Sequence, residues 1–176
     1  MVYVITGGPG FGKTVLIEKL QQMGYQTGAE TARQIIMQQI ASGGEILPWK
    51  NKVKFEIQVM EERISFLNSI AIEDIAFSDR GLPDQSGFSM YKNNGISKQL
   101  ASALMLNHYA KKVFLTPPWF QIYKNDPIRT ETFEEAERIH YYIVQAYLEN
   151  GYDLVDLPLT TPEKRIEFIL KSLKNP

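Results

Sequence analysis

"GGPGFGKT", residues Gly7–Thr14, follows directly on the apolar run "VYVIT" of Val2–Thr6. The spacing Gly7-x-x-x-x-Gly12-Lys13-Thr14 is that of a phosphate loop. Glycines let a backbone wrap around an anion and turn successive N–H groups toward it. A helix beginning near Lys13 brings its positive dipole end to the same place. Lys13 is expected to reach the β- and γ-phosphates, and the Thr14 hydroxyl to take a magnesium site. Gly7, Gly8, Pro9, Gly10, Phe11, Gly12, Lys13, Thr14 and Val15 are therefore the expected nucleotide cradle. A glycine-rich stretch can also be a bare strand-to-helix turn. Here both flanks required by the motif are present. "VYVIT" reads as a strand, and "KTVLIEKLQQMG" sets Leu16, Leu20 and Met23 on one helical face before Gly24.

The chain has 176 residues, which predicts a single domain over residues 1–176 with a substantial core. Hydrophobic residues at 44% and charged residues at 22% are those of a globular protein. A net charge of −1 carries no basic field of the kind nucleic acid attracts. The absence of cysteine removes disulfides and thiolate metal sites. No apolar run nears a membrane span, and the N-terminus runs straight into a strand without a leader pattern. A cytoplasmic protein without nucleic-acid or membrane partners is expected.

Strand-like runs alternate with helical ones. The strands are expected at Val2–Thr6, Tyr25–Ala29, Ile75–Asp79, Lys112–Thr116 and Tyr152–Leu157. Helices are expected over about 13–23, 31–42, 49–70, 97–110, 132–149 and 162–173. Within 49–70, one stripe of Val53, Ile57, Met60, Ile64 and Leu67 and a second of Phe55, Val59, Phe66 and Ile70 predict a broad buried face. This alternation implies an α/β fold, a parallel sheet with helices on both faces. Ligands bind such sheets at the carboxyl ends of the strands.

The polar residues just past each strand end are thus the candidates. "AETAR" follows the second strand, where Glu30 and Arg33 share a helical face. They read equally as an exposed ion pair or as acceptor-binding groups, Glu30 orienting a hydroxyl and Arg33 clamping an anion. "FSDRG" ends the third strand. Asp79 is placed to hold magnesium directly or through water, and Arg80 to neutralise transferred phosphate. The competing reading of Asp79 is a turn acid. "TPPWFQIYKNDPIRTE" after the fourth strand suggests a lid over about 119–132, with Lys124 and Arg129 as its cations. His140 and His108 are expected to be hydrogen-bonded core residues, and two histidines make zinc improbable.

"GGPGFGKT", "ETAR", "FSDRGLPD", "PPW", "IYKNDPIRTETFEEAERIH" and "GYDLVDLP" together resemble the NadR/Ttd-type AAA domain family. That family includes the nicotinamide-riboside kinase domain of NadR proteins and the nucleotide-binding domain of TRPL translocation defect proteins. The Asp-Arg pair is similar to that of thymidylate kinases and to the Glu-Arg of deoxynucleoside kinases. The resemblance implies a three-layer, nucleoside-kinase-like phosphate-loop NTPase fold with strand order 2-3-1-4-5. The chain departs from ring-forming AAA motors in having no recognisable arginine finger or sensor pattern. No adenylyltransferase or helix-turn-helix part of the kind that accompanies some NadR kinases is expected within these 176 residues.

The reading reached is an ATP- and magnesium-dependent kinase of a small hydroxyl-bearing acceptor. The acceptor is expected between Glu30, Arg33, Phe55, Gln58 and Tyr91. Lys13, Glu30, Asp79, Arg80 and Arg129 are the expected catalytic set, with Thr14 and Asp79 at the metal. The alternative is a regulatory NTPase or slow ATPase that works through a protein partner. No N-K-x-D guanine signature is found, so ATP is the expected nucleotide and GTP stays open.

Overall fold

The computed structural model describes residues 1–124 and 131–174. Five strands form one parallel sheet: β1 (Val2–Thr6), β2 (Gln26–Gly28), β3 (Ala76–Asp79), β4 (Lys112–Leu115) and β5 (Asp153–Asp156), in the order β2-β3-β1-β4-β5. The order implied by the family resemblance is the order observed. The helices are α1 (Lys13–Gln22), α2 (Thr31–Ser42), α3 (Lys52–Ser69), α4 (Leu82–Tyr91), α5 (Lys98–Leu106), α6 (Phe133–Glu149) and α7 (Pro162–Lys174). One core cluster joins Ile5, Leu16, Leu20, Phe77, Phe114 and Ile169 on the α1–α7 side. A second joins Val4, Leu82, Val113, Ile139, Ile143 and Tyr147 on the α4–α6 side. Each fully buried side chain of this size contributes roughly 1.5–3 kcal/mol.

Three sequence expectations need correction. Helix α4 is absent from the expected helices, and its first residues, with Gly81 and Pro83, suit the turn reading of Asp79. Pro83 instead stands in the first turn, where no N–H is needed, and Asp84 Oδ2 accepts the Gly81 N–H at 2.8 Å. Gly87 faces α6, where an added Cβ would lie 2.7 Å from Ile143 Cα, so the two helices pack backbone to backbone. In α3 the fully buried row is Phe55–Val59–Arg63, and Val53 is 66% exposed. The helix tilts its 55–59–63 edge toward α2 and α4, while Met60, Ile64 and Leu67 are half-buried against the second core. Finally, Met23 and His108 are exposed, one ending its helix and the other in the loop before β4.

Candidate active site

The C-terminal ends of β1 and β3 lie side by side, with Ile5 in register with Asp79. This register sets the phosphate loop beside the Asp79–Arg80 pair. At Gly7 φ is +137°, and a Cβ would strike the hydroxyl and carbonyl of Thr116. Gly12 at φ +83° makes the turn into α1. Lys13 is 4% exposed, and its Nζ donates to the Gly7 and Gly8 carbonyls at 3.2 and 2.7 Å. The Phe11 ring is buried beneath the loop, against Phe133 and His140. His140 Nδ1 accepts the Gly8 N–H at 3.2 Å, so the imidazole holds the loop from α6. Burial, with Lys13 and Arg80 nearby, lowers the His140 pKa to about 4 and keeps the acceptor nitrogen unprotonated.

Asp79 is buried at the end of β3. Thr14 Oγ1 donates to its Oδ2 at 3.5 Å. Its Oδ1 is buried with no hydrogen-bond partner among the described residues. Burial pushes the carboxyl up to about 6, with Lys13 opposing. An unsatisfied carboxylate oxygen beside a hydroxyl is an oxygen donor set that suits magnesium.

Arg80 adopts φ +74°, a left-handed conformation that a side-chain-bearing residue keeps only when its surroundings hold it. Its Nη1 donates to Gly7 O at 3.0 Å and to Asp84 Oδ1 at 2.8 Å, and its Nε to Glu30 Oε1 at 3.5 Å. The guanidinium also lies 5.2 Å from the Phe88 ring centre. Asp84 is fully buried and accepts from Thr6, Arg80, Gly81 and Tyr147. Burial alone would raise its pKa, but Arg80 and Arg63 outweigh that and lower it, so it remains a carboxylate. Arg80 is thereby fixed between the phosphate loop and Glu30.

Glu30, at the N-terminus of α2, opens onto a cavity of about 220 Å³ between α2, α3 and α4. Ile36, Phe55, Val59, Arg63, Arg80 and Phe88 are among its walls. A smaller recess of about 100 Å³ joins Glu30 and Arg33 to Pro9 of the loop. On the other side of the loop, Arg165 of α7 lies 4.8 Å from the Trp119 ring and donates to Pro158 O at 2.8 Å and Phe11 O at 3.4 Å.

The family model described as "AAA domain" matches residues 2–165. The chain belongs to this AAA domain family. Among curated protein sequences none matches it. This AAA domain is similar in structure to deoxyadenosine kinase from M. mycoides, with a TM-score of 0.68 and 17% identity over 100% of both chains. Thymidylate kinase from Candida albicans follows at TM-score 0.62 and 12% identity, over 98% of this chain and 90% of that one. Shikimate kinase from Aquifex aeolicus gives 0.56 at 15% identity, over 98% and 95%. At these identities the likeness is one of fold, and the AAA domain has the phosphate-loop fold of these kinases.

In this AAA domain Lys13, Thr14, Glu30, Asp79 and Arg80 converge at one end of the sheet. Phe55 lines the larger cavity and Arg33 the smaller recess. Gln58 bonds to Glu62 one turn along α3, and Tyr91 packs on Tyr142, so neither lines the larger cavity. Arg129 and residues 125–130 of the expected lid lie outside the described residues. Sequence reading missed Asp84, His140's contact with the loop, Arg63 and Arg165. Asp84 had a signal, an acid three residues after Gly81 behind a first-turn proline. The other three carried none, since their partners are distant in sequence. No helix among the described residues is long and apolar enough to cross a membrane.

Proposed function

We propose that this protein is an ATP- and magnesium-dependent kinase that phosphorylates a hydroxyl group of a small molecule. The carrying observation is that one arginine serves two places. Arg80 touches the phosphate loop at Gly7 and, at its other edge, Glu30 at the mouth of the adjoining cavity. A nucleotide site and a second recess thus share a fixed positive charge, which phosphoryl transfer between two bound molecules requires. The kinase fold of the structural neighbours agrees with this reading.

In this proposal Lys13 exchanges the Gly7 and Gly8 carbonyls for the terminal phosphate oxygens. Thr14 and Asp79 would hold magnesium, which when bound screens phosphate charge. Glu30 accepts the acceptor's hydroxyl hydrogen bond and aims its oxygen at the γ-phosphate. Arg80 stabilises charge on the phosphoryl group in flight. A regulatory NTPase would need no acceptor cavity. The test is a screen of nucleosides, nucleotides and sugars for ATP-dependent phosphorylation, with ATP loss in the absence of acceptor measured in parallel. Transfer to an acceptor supports the kinase. Hydrolysis alone, unaffected by every acceptor, supports the regulatory NTPase.

A further inference from the structure

Arg63 is the unexpected member of the acceptor cavity. It ends the buried row Phe55–Val59–Arg63 of α3 and is only 4% exposed. Its Nε is buried without a hydrogen-bond partner among the described residues. Its Nη1 reaches Gln85 Oε1 at 3.5 Å, the outer limit of a hydrogen bond. Gln85 is itself held, its amide donating to Glu56 O at 2.6 Å. Asp84 lies within the field of Arg63, but its hydrogen bonds go to Thr6, Arg80, Gly81 and Tyr147. Asp84 and Glu30 pair with Arg80, and Glu56 pairs with Lys52 at 3.6 Å. Arg63 is therefore a buried guanidinium with unused donors and no carboxylate paired to it among the described residues. A buried charge left in this state is costly, and a bound anion removes the cost. A guanidinium matches a planar or tetrahedral oxyanion with two parallel donors. Lys92, exposed at the same cavity's rim, adds a charge that draws anions inward.

We propose that the acceptor already carries an oxyanion, a phosphate monoester or a carboxylate, seated on Arg63. This deepens the kinase reading and rests on it for the existence of an acceptor. The seat lies on α3 and Glu30 stands just before α2, and both line the same cavity. The anion is thus the handle by which the acceptor is gripped, and a hydroxyl elsewhere on the molecule faces Glu30.

The seat is tested first without turnover. The protein is saturated with magnesium and a non-hydrolysable ATP analogue, so that the phosphate loop is filled. Inorganic phosphate is then titrated against chloride at equal ionic strength, and the thermal midpoint is followed. Phosphate is expected to stabilise the native protein, Arg63→Gln to weaken that apparent affinity about tenfold or more, and Arg63→Lys to fall between them. Equal stabilisation of native and Arg63→Gln protein overturns the seat, as does no stabilisation of either. Weakened binding of the ATP analogue itself in Arg63→Gln also overturns it, since Arg63 would then serve the nucleotide. If Arg63→Gln does not fold, Arg63→Lys and Arg63→Met carry the same comparison.

A second arm compares nucleoside monophosphates with their parent nucleosides, and hydroxy acids with the matching alcohols, as acceptors. The charged member of a pair is expected to be preferred about tenfold or more in kcat/KM, with the preference lost in Arg63→Gln through a raised KM. The pair that shows the preference distinguishes phosphate from carboxylate. Equal use of neutral and charged acceptors overturns the proposal and leaves the kinase standing. No transfer to any acceptor, with phosphate still bound through Arg63, defeats the kinase reading instead.

Discussion

His140 on α6 accepts the backbone N–H of Gly8 through Nδ1, at 3.2 Å, across 132 residues of sequence. This bond requires a neutral ring. It ties the nucleotide loop's conformation to the protonation of a residue outside the loop.

The pH dependence of stability follows from His140 and Asp79 together, with opposite signs. The folded-state pKa of His140 is lowered from 6.5 to about 4. The unfolded chain then binds more protons between these values, so this contribution is lost as pH falls from about 6.5 to 4. The folded-state pKa of Asp79 is raised from 3.8 to about 6, so its contribution falls as pH rises over that window. The two largely cancel in the native protein. Urea unfolding of Asp79→Asn should therefore show stability climbing from pH 4 to 6.5 more steeply than the native protein, by on the order of 1–3 kcal/mol. His140→Gln should show the reverse. Parallel profiles for all three proteins would refute this assignment.

Lys13→Ala should leave the fold intact and weaken ATP by at least roughly tenfold, because a point charge on the terminal phosphates is lost. Calorimetric titration gives the affinity and circular dichroism the fold. Unchanged affinity would remove Lys13 from the nucleotide site.

Asp84→Asn should be the most destabilising of the site substitutions. Four donors meet one buried carboxylate, and Arg80 would lose its closest counter-charge. Breaking a buried pair in this way costs about 3–5 kcal/mol. Tyr147→Phe removes only one of those donors and should cost about 1 kcal/mol. Denaturant midpoints of the two variants provide the comparison. A loss for Asp84→Asn no larger than for Tyr147→Phe would show that the cluster does not act as a unit.

Glu30→Gln should spare ATP affinity and acceptor-free hydrolysis while lowering transfer to the acceptor by roughly a hundredfold or more. Its carboxylate lies at the cavity mouth, beyond Arg80 from the loop. Equal loss of hydrolysis and transfer would assign Glu30 a structural role through Arg80.

The fold was largely legible in the sequence because its signals are local. The run Val2–Thr6, the glycines after it and the apolar face of α1 lie within 22 residues. Residues just past β1, β2 and β3 were the right places to look, since a parallel sheet gathers its strand ends. What escaped depends on distant partners. Gly87 in α4 gives no local helix signal, and its role shows only where Ile143 of α6 lies against it. Arg63 belongs to neither apolar stripe expected in α3, and only the structure shows it continuing the buried row of Phe55 and Val59. His140 reads as an ordinary inward ring until Gly8 arrives from the opposite end of the chain.

The backbone-to-backbone contact at Gly87 divides the cavity beside Glu30 into a cast wall and an adjustable one. Gln85, Phe88 and Ser89 line it from α4, which cannot shift without forcing α6, and α6 carries His140. The facing wall of Ile36, Phe55 and Val59 meets the cavity through side chains from α2 and α3 alone. If the protein is the kinase proposed above, acceptor preference can be retuned on that side while the phosphate chemistry is left in place. Reshaping at Phe55, by Phe55→Leu or Phe55→Tyr, should change which acceptor is used and leave acceptor-free ATP turnover within about twofold of the native rate.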